Sequence, residues 1–499
     1  MTRHPHQNSL TPLRLTTEQQ FRAVGALVGS AVGDAIGAPF EFGPAGQYSS
    51  CFPRPVLTGR GEMIGGGGFS WAPGEFTDDT QMALCLAESL LACGGYQPED
   101  VWTRFRAWAT TAADIGVTTR SSLAQSSHVG AARLSHEATG GRSASNGCVM
   151  RIAPVGIMGV QWGRDLTIEI AAQQAALTHH DPAAAAGAAI VAETIRRVIL
   201  TGELGTTAED VTAELMLDDR FGPVAAQYVP YVSASFDPHF HHGPGNGSVW
   251  TAIAQALWAV RTTTSFHDAI AAVVDLGGDT DTVAAIAGAL AGALYGMQSI
   301  PVRWVTYVHG TVRQPDGELR EYRTQDLIDT ARRLSGRRAS TITPPERASG
   351  PRLVDPAGVF AANLEGAALA PSDHGIISMC IPEERFLQHP RRRTVFMRDD
   401  EDPANVDLMF VVRDAVDAID AFLSEGHKVV VHCHGGRSRT GLVLKAWYMR
   451  HHRVSHVEAH EWLSGEWGLY ATYNQSFLRF LDEEWTQHVE QFATTGKGR

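Results

Sequence analysis

The sequence predicts two domains of different fold class, an all-α N-terminal domain and a smaller α/β C-terminal domain. Residues 17–334 are Ala- and Leu-rich with helical periodicity almost throughout, as in QMALCLAESLLAC and TVAAIAGALAGALYGM. Beyond residue 352, short β-prone runs such as KVVVHC alternate with helical runs, which is typical of a buried parallel sheet. The length of 499 residues also exceeds what one ordinary hydrophobic core accommodates.

The boundary between the two domains is predicted from composition. Residues 336–352 are rich in Ser, Pro, Gly and Arg and have no apolar periodicity, which is typical of a linker. We therefore assign residues 18–335 to the N-terminal domain and residues 353–490 to the C-terminal domain.

The overall composition narrows the classes of partner. The formal net charge of −13 gives the chain no general attraction for nucleic acid or anionic membranes, so an anionic substrate must be held by a local site. No signal peptide and no uninterrupted membrane-length apolar run is present, and we expect a cytoplasmic protein. The six cysteines show no paired zinc spacing, so we expect thiols.

Two acidic clusters dominate the N-terminal half. Residues 77–80 (TDDT) and 279–282 (DTDT) each open an Ala- and Leu-rich helical stretch, and together they place four carboxylates at two helix starts. Either cluster alone has the alternative interpretation of ordinary helix capping. The pair favours a divalent metal site, because carboxylates brought together repel one another unless a cation lies between them. Mg²⁺ and Mn²⁺ prefer the carboxylate and hydroxyl oxygens that Asp and Thr supply.

Further motifs accompany the clusters. Glu41 follows a Gly-punctuated turn in residues 33–42, residues 146–151 join a loop to an apolar segment, and His179 precedes a helix start at Asp181-Pro182. Each motif alone also fits a purely structural role, because caps and turns recruit the same residue types.

In combination and in this order, these motifs resemble the ADP-ribosylglycohydrolase family, the type that removes ADP-ribose from dinitrogenase reductase and from modified arginine or serine. The resemblance covers roughly residues 18–335 and implies an all-α fold with two Mg²⁺ or Mn²⁺ ions. The metal ligands implied by it are Thr77, Asp78, Asp79, Asp279, Asp281 and Thr282. The ADP-ribose contacts implied by it are Gly116 of the 114–116 turn, Ser143, Asn146, Gly147 and His179. For the hydrolysis, we expect Glu41 or a metal-bound aspartate, Asp79 or Asp281, to assist proton transfer.

The C-terminal half contains a cysteine loop, HCHGGRSRTG, after a buried-strand pattern and before a helix. Successive N–H groups that lead into a helix N-terminus form an anion cradle, and the same field favours the thiolate of Cys433. Arg439 can return to the loop and bind two phosphate oxygens in a planar fork. Gly435 and Gly436 permit the tight backbone path. The alternative interpretation is a buried cysteine beside a surface arginine.

This loop resembles the Cys-x5-Arg signature of the cysteine-based protein phosphatases, nearest the small dual-specificity type. By resemblance, Cys433 is the nucleophile, Arg439 binds the phosphoryl group and Thr440 helps to break the phospho-cysteine intermediate. The family also needs a general acid, for which we favour Asp400, with Asp399 and Asp402 as alternatives. Residues 391–393 are a run of three arginines, which we interpret as a solvated face.

Together the two resemblances predict a metal-dependent ADP-ribosylhydrolase fused to a cysteine-dependent phosphatase. The expected partners are an ADP-ribosylated protein or small molecule for the first domain and a phosphorylated substrate for the second. One alternative is a pair of reading modules that bind ADP-ribose and phosphoproteins without turnover. Another assigns the second domain to non-protein phosphates, namely a phosphoinositide, an RNA 5′-phosphate or a nucleotide.

Overall fold

The N-terminal domain of the computed structural model is mostly helical, as predicted. The structure describes residues 13–336, 347–380, 386, 389–399, 407–468 and 474–495. The helices of this domain are α1 (Thr17–Gly37), α2 (Gln47–Cys51), α3 (Asp78–Cys93), α4 (Pro98–Ala109), α5 (Val117–Leu123), α6 (Ala131–Ala138), α7 (Ala153–Trp162), α8 (Arg164–Ala176), α9 (Pro182–Thr201), α10 (Thr207–Met216), α11 (Gly222–Ala225), α12 (Val229–Val232), α13 (Val249–Thr262), α14 (Phe266–Val274), α15 (Thr280–Tyr295), α16 (Val302–Val305) and α17 (Thr324–Leu334). A small antiparallel hairpin, β1 (His309–Arg313) and β2 (Leu319–Arg323), was not predicted.

Helices α1 and α15 lie at the centre of this domain and pack through glycine. The α1 glycines recur every four residues and therefore share one face: Gly25, Gly29, Gly33 and Gly37. A Cβ added at Gly29 would lie 2.4 Å from the carbonyl oxygen of Gly288, and one added at Gly37 would lie 2.5 Å from that of Thr280. The two backbones therefore touch directly, and the end of α1 is held against the start of α15.

The α1 segment Thr17–Phe40 is long and apolar enough to cross a membrane by length and composition alone. In the structure, 94% of its most apolar window is buried inside the domain. Its position at the centre of the hydrophobic core accounts for this apolar character.

The C-terminal domain is an α/β unit around a five-stranded sheet, in the order β3 (Arg352–Asp355), β4 (Val359–Ala362), β7 (Val429–His432), β5 (Gly375–Ser378) and β6 (Arg392–Thr394). All neighbouring pairs are parallel except β3 and β4, which are antiparallel. Strand β7 is buried along its length. It is the third of the five strands, so its carboxyl end lies at the middle of the sheet edge. The helices are α18 (Leu364–Ala367), α19 (Leu408–Ser424), α20 (Ser438–His452), α21 (His456–Glu466), α22 (Gln475–Phe480) and α23 (Thr486–Thr495), with a π-helical turn at Leu481–Trp485.

The two domains pack against each other through the arginine run, which is not the solvated face that the sequence suggested. Arg392 and Arg393 are 9% and 1% exposed. The Arg393 guanidinium lies over the rings of Tyr307 and Phe422, and its Nη1 donates to Tyr307 Oη at 2.5 Å. The prediction fails because strand β6 turns these side chains toward the N-terminal domain, and the local charge pattern contains no information about that contact.

Helix α19 makes further contacts across the same boundary. The backbone N–H of Val302 donates to Asp414 Oδ2 at 2.6 Å, and that of Gly59 donates to Glu425 Oε1 at 2.6 Å. Burial raises the pKa of Asp414 to about 6. Most of the proposed linker, residues 337–346, lies outside the described residues, and the assigned domain limits stay a prediction.

Candidate active sites

The first candidate site lies where α1, α3 and α15 meet. Helix α3 begins at Asp78 and α15 at Thr280, so both acidic clusters occupy helix N-termini. Thr280 Oγ1 donates to the Gly37 carbonyl oxygen at 2.8 Å, which joins the second cluster to the end of α1. The glycine contact between the two helices therefore fixes where the acids lie.

Glu41, Asp279 and Asp281 form an acidic group in this site. Their carboxylate oxygens lie within 4.8 Å of one another, one oxygen from each residue. Glu41 comes from the turn after α1, whereas the two aspartates come from the start of α15. Burial, followed by the charges of Asp114, Asp279 and Asp34, raises the pKa of Glu41 to about 8.

The first cluster is buried beside this group. Asp78, Asp79 and Asp281 are 6%, 1% and 2% exposed. Burial raises the pKa of each of these three carboxyls well above its usual range, and neighbouring carboxylates raise it further. Asp279 is among the neighbours that act on all three, so the two clusters lie within electrostatic reach of each other.

The donor set suits a hard divalent cation. Asp79 Oδ1 is buried and accepts no hydrogen bond from the described residues, while its Oδ2 accepts one from Thr77 Oγ1 at 3.1 Å. The second predicted hydroxyl ligand, Thr282, is 5% exposed at the start of α15. Buried, mutually repelling carboxylate oxygens with hydroxyls beside them are the ligands that Mg²⁺ and Mn²⁺ prefer. The residues present therefore fit such an ion.

Asp34 supports this site, although the sequence reasoning gave it no role. It is fully buried, and its Oδ2 accepts from the backbone N–H of Thr80 at 3.0 Å and from Thr80 Oγ1 at 2.6 Å. Its Oδ1 accepts from the backbone N–H of Thr77 at 2.9 Å. Burial raises the pKa of Asp34 to about 6. The signal available in the sequence was a carboxylate within the Gly-rich apolar part of α1, well beyond Glu18 in its first turn.

Asn146 connects the predicted ADP-ribose loop to the acids. Its Nδ2 donates to Asp279 Oδ2 at 2.8 Å and to the Asn246 carbonyl oxygen at 2.9 Å. Asn246 Oδ1 in turn accepts from the Asp279 backbone N–H at 3.1 Å. Sequence reasoning missed Asn246, because the Gly/Pro-rich loop that carries it has no distinguishing local pattern.

His179 and Gly147 are two further predicted ADP-ribose contacts, and they lie next to each other. His179 is 1% exposed, with Thr178 Oγ1 and Ser145 Oγ at 2.8 and 2.9 Å from its two ring nitrogens, and burial lowers its pKa to about 3. A Cβ at Gly147 would lie 3.3 Å from this ring.

The remaining predicted contacts are Ser143 and Gly116. Ser143 is fully buried and hydrogen-bonded to His136 Nδ1 at 2.6 Å and to the Asp181 backbone N–H at 3.1 Å. Gly116 precedes α5 as its N-cap. The proposed ligand contacts stay predictions.

The second candidate site is the cysteine loop at the carboxyl end of β7. Cys433 is 1% exposed, and α20 begins at Ser438, as the strand-loop-helix pattern predicts. Two carbonyl oxygens of the loop accept hydrogen bonds from residues outside it. Gly436 O accepts from Trp467 Nε1 at 2.6 Å, and His434 O accepts from the Leu364 backbone N–H at 3.2 Å. No described residue accepts a hydrogen bond from the backbone N–H groups of residues 434–437. The loop therefore has the character of an anion cradle.

Arg439, the second residue of α20, contacts two neighbouring segments. Its Nη1 donates to the Met379 carbonyl oxygen at 2.7 Å and to that of Met397 at 3.2 Å. Its Nε lies 3.9 Å from Asp399 Oδ2. Thr440 is buried, and its Oγ1 has no hydrogen-bond partner among the described residues.

Of the three candidates for the general acid, the structure describes Asp399. Asp399 lies beside Arg439 and accepts from Asn474 Nδ2 at 3.2 Å. Asp400, the favoured candidate, and Asp402 lie outside the described residues. The choice among the three aspartates therefore stays a prediction.

Comparison with known proteins supports both resemblances. Residues 15–341 match the sequence model for ADP-ribosylglycohydrolase, and residues 382–483 match that for the dual specificity phosphatase catalytic domain. The chain is 32% identical to the ADP-ribosylarginine hydrolase Tri1 of Pseudomonas putida, over 59% of this chain and 76% of that protein. It is 30% identical to the ADP-ribosyl-[dinitrogen reductase] glycohydrolase of Rhodospirillum rubrum, over 57% of this chain and 89% of that protein. The chain therefore belongs to the ADP-ribosylglycohydrolase family and is a hydrolase fused to a dual specificity phosphatase domain.

Proposed function

We propose that the N-terminal domain is a divalent-metal-dependent hydrolase that releases ADP-ribose from a modified protein side chain. The observation that carries the proposal is the group of Glu41, Asp279 and Asp281, whose oxygens lie within 4.8 Å of one another beside the buried pair Asp78 and Asp79. A protein acceptor is favoured because the relatives include an ADP-ribosylarginine hydrolase and a dinitrogen reductase glycohydrolase.

The roles of the residues follow from this geometry. Two Mg²⁺ or Mn²⁺ ions would be held by Thr77, Asp78, Asp79, Asp279, Asp281 and Thr282. Such ions, when bound, orient sugar hydroxyls and make a water more acidic. Asn146 orients the Asp279 carboxylate through its 2.8 Å hydrogen bond. Glu41, or alternatively Asp79 or Asp281, moves a proton between the attacking water and the departing acceptor atom.

The test is release of free ADP-ribose from ADP-ribosyl-arginine and ADP-ribosyl-serine peptides, with Mg²⁺, with Mn²⁺ and with a chelator. We expect metal-dependent release that falls to background in the Asp279→Asn/Asp281→Asn double variant. Asp165→Asn removes a carboxylate that is 91% exposed and serves as the control. Full metal-dependent turnover in the double variant would contradict the assignment. Binding of ADP-ribose without release would favour the reading module.

We further propose that the C-terminal domain is a phosphatase that acts through a phospho-cysteine intermediate, with a phosphorylated protein as substrate. The Cys433 sulfur forms a bond to phosphorus while the ester P–O bond breaks, and Asp400 gives a proton to the leaving oxygen. Water then attacks phosphorus, the S–P bond breaks, and the proton from water returns to Asp400 as inorganic phosphate leaves. Arg439 and the loop N–H groups hold the phosphoryl oxygens throughout.

Three experiments test this second proposal. Cys433→Ser should abolish hydrolysis of a small aryl phosphate, and a panel of phosphopeptides, phosphoinositides, RNA 5′-phosphates and nucleotides identifies the substrate class. Separate Asn variants of Asp399, Asp400 and Asp402 identify the acid, since its loss makes the rate depend steeply on the pKa of the leaving group. Cysteine-independent turnover would contradict the mechanism.

A further inference from the structure

Residues 394–399, here called the shared segment, lie between the two domains. They continue from β6, the edge strand of the C-terminal sheet. Val395 and Met397 are buried in the C-terminal hydrophobic core, whereas Phe396 between them packs against the N-terminal core. Alternate side chains of an extended chain point in opposite directions, so one segment serves both cores.

The N-terminal domain holds one side of the shared segment. The Phe396 ring meets that of Phe21 on α1 edge to face, with the centroids 5.1 Å apart. The Thr394 backbone N–H donates to Thr306 Oγ1 at 3.1 Å. The N-terminal domain therefore contacts the segment at its first residue and near its middle.

The contact with α1 extends to the end of the shared segment. Arg398 Nη1 donates to Thr17 Oγ1, at the start of α1, at 3.0 Å. Thr17 and Phe21 are four residues apart on the helix and so lie on the same face. Helix α1 therefore contacts the segment at two successive even-numbered positions.

Arg439 of the cysteine loop contacts the other side of the same segment. Arg439 Nη1 donates to the Met397 carbonyl oxygen at 3.2 Å, and its Nε lies 3.9 Å from Asp399 Oδ2. Both contacts are made to residues that directly flank those bound to α1. Together with the 2.7 Å hydrogen bond from Arg439 Nη1 to the Met379 carbonyl oxygen, the shared segment therefore sets the position of the arginine.

We propose that the N-terminal domain positions Arg439, the phosphate-binding arginine of the C-terminal domain, through the shared segment, with Phe21 as the positioning residue. This inference rests on the proposed phosphatase function. The segment follows an edge strand, so the C-terminal sheet contacts it on one side only. The aromatic contact with Phe21 supports it on the other side. An arginine fork must be held in the correct plane to bind two phosphoryl oxygens, and a displacement of about 1 Å can cost about 100-fold in rate.

The first measurement is hydrolysis of a small aryl phosphate by the full-length protein carrying Phe21→Ala, Phe396→Ala or both. We expect kcat to fall about tenfold or more in each, because transition-state binding by the fork suffers. We expect a smaller change in KM. The double variant should lose no more than the worse single variant, since both remove the same contact. Phe21→Leu, which retains apolar volume, should recover part of kcat.

The second measurement is the affinity for inorganic phosphate by titration calorimetry, which needs no turnover. Phe21→Ala should weaken binding roughly tenfold, toward the value of Arg439→Met, because charge-assisted hydrogen bonds are lost. Phe221→Ala, a buried phenylalanine of the N-terminal domain that is 7% exposed, should leave both readouts near wild type.

The outcomes separate this inference from the proposed function. Unchanged phosphate affinity in folded Phe21→Ala and Phe396→Ala overturns the inference, and so does an equal loss in Phe221→Ala. A wild-type protein without phosphatase turnover overturns the proposed function instead, while phosphate affinity still decides whether Phe21 positions Arg439. Thermal unfolding verifies that each variant is folded.

Discussion

The carboxylate of Asp34, within α1, accepts a hydrogen bond from the backbone N–H of Thr77 at the start of α3, with 2.9 Å between nitrogen and oxygen. A residue from one helix thus satisfies the terminus of another, a role that the residue at the helix start usually fills. The Thr77 hydroxyl is released from capping and donates instead to Asp79. The two acidic clusters are therefore assembled on a buried hydrogen-bond network.

We predict that Asp34→Ala destabilises the protein by about 2–4 kcal/mol, because it leaves buried donors of Thr77 and Thr80 without an acceptor. Asp34→Asn should lose less, since an amide oxygen still accepts. Urea unfolding with and without Mg²⁺ measures the effect. Asp316→Ala, in an exposed turn, is the control, and equal stability of all three variants would contradict the capping role.

The glycine contact leads to a second prediction. Gly37→Ala would place a Cβ 2.5 Å from the Thr280 carbonyl oxygen, so α15 must move away from α1. We expect a loss of about 1–3 kcal/mol in stability from overpacking, together with weaker metal-dependent ADP-ribose release.

Thermal unfolding and the ADP-ribose assay at varied Mg²⁺ concentration measure both effects of Gly37→Ala. Gly95→Ala is the matched control, because a Cβ there meets no atom within 4 Å. If the destabilised Gly37→Ala protein released ADP-ribose with wild-type metal dependence, the claim that this helix contact positions the acidic site would be contradicted.

Asp414 gives a pH-dependent prediction. Its folded pKa of about 6 lies above the ordinary 3.8, so protonation stabilises the fold below pH 3.8, and this stabilisation is lost as pH rises through 6. Asp414→Asn keeps an acceptor for the Val302 N–H without the charge. We expect it to be more stable than wild type by about 2 kcal/mol at pH 8.

The advantage of Asp414→Asn should narrow by about 1 kcal/mol between pH 7 and pH 5, as wild type takes up its proton. Urea unfolding at several pH values measures it. Glu461→Gln changes an exposed carboxylate of the same domain and should show no such trend. A gap that stays constant with pH would mean that the Asp414 charge is not the cause.

Arg393 provides a prediction about the domain boundary. Arg393→Met removes its hydrogen bonds to Tyr307 Oη and to the Gly59 carbonyl oxygen, and should destabilise the boundary by about 2–3 kcal/mol. Arg393→Lys should not restore it, because an ammonium cannot reproduce the planar fork. In calorimetry we expect the two domains to unfold in more widely separated transitions, whereas Arg391→Met, nearer the surface, should leave the profile unchanged.

The helices, the strand-loop-helix around Cys433 and the starts of α3 and α15 were predictable, because each depends on residues adjacent in sequence. The hydrophobic period defines a helix, and an acidic pair before an apolar run defines its start. Neither pattern contains information about contacts between distant segments. The Asp34 cap, the Asn246 contacts and the burial of Arg393 all depend on such contacts. The grouping of Glu41 with Asp279 and Asp281 belongs to the same class.

Helix α1 has a consequence for how this protein can change during evolution. Phe21 near its start faces the shared segment, and Asp34 near its end supports the acids. One inserted residue between them would turn one end relative to the other by about 100° and advance it by about 1.5 Å. Either the contact of Phe21 with the shared segment or the hydrogen bonds of Asp34 to the start of α3 would lose their register. We therefore expect lineages that carry both domains to vary the composition of α1 but not its length between these two residues.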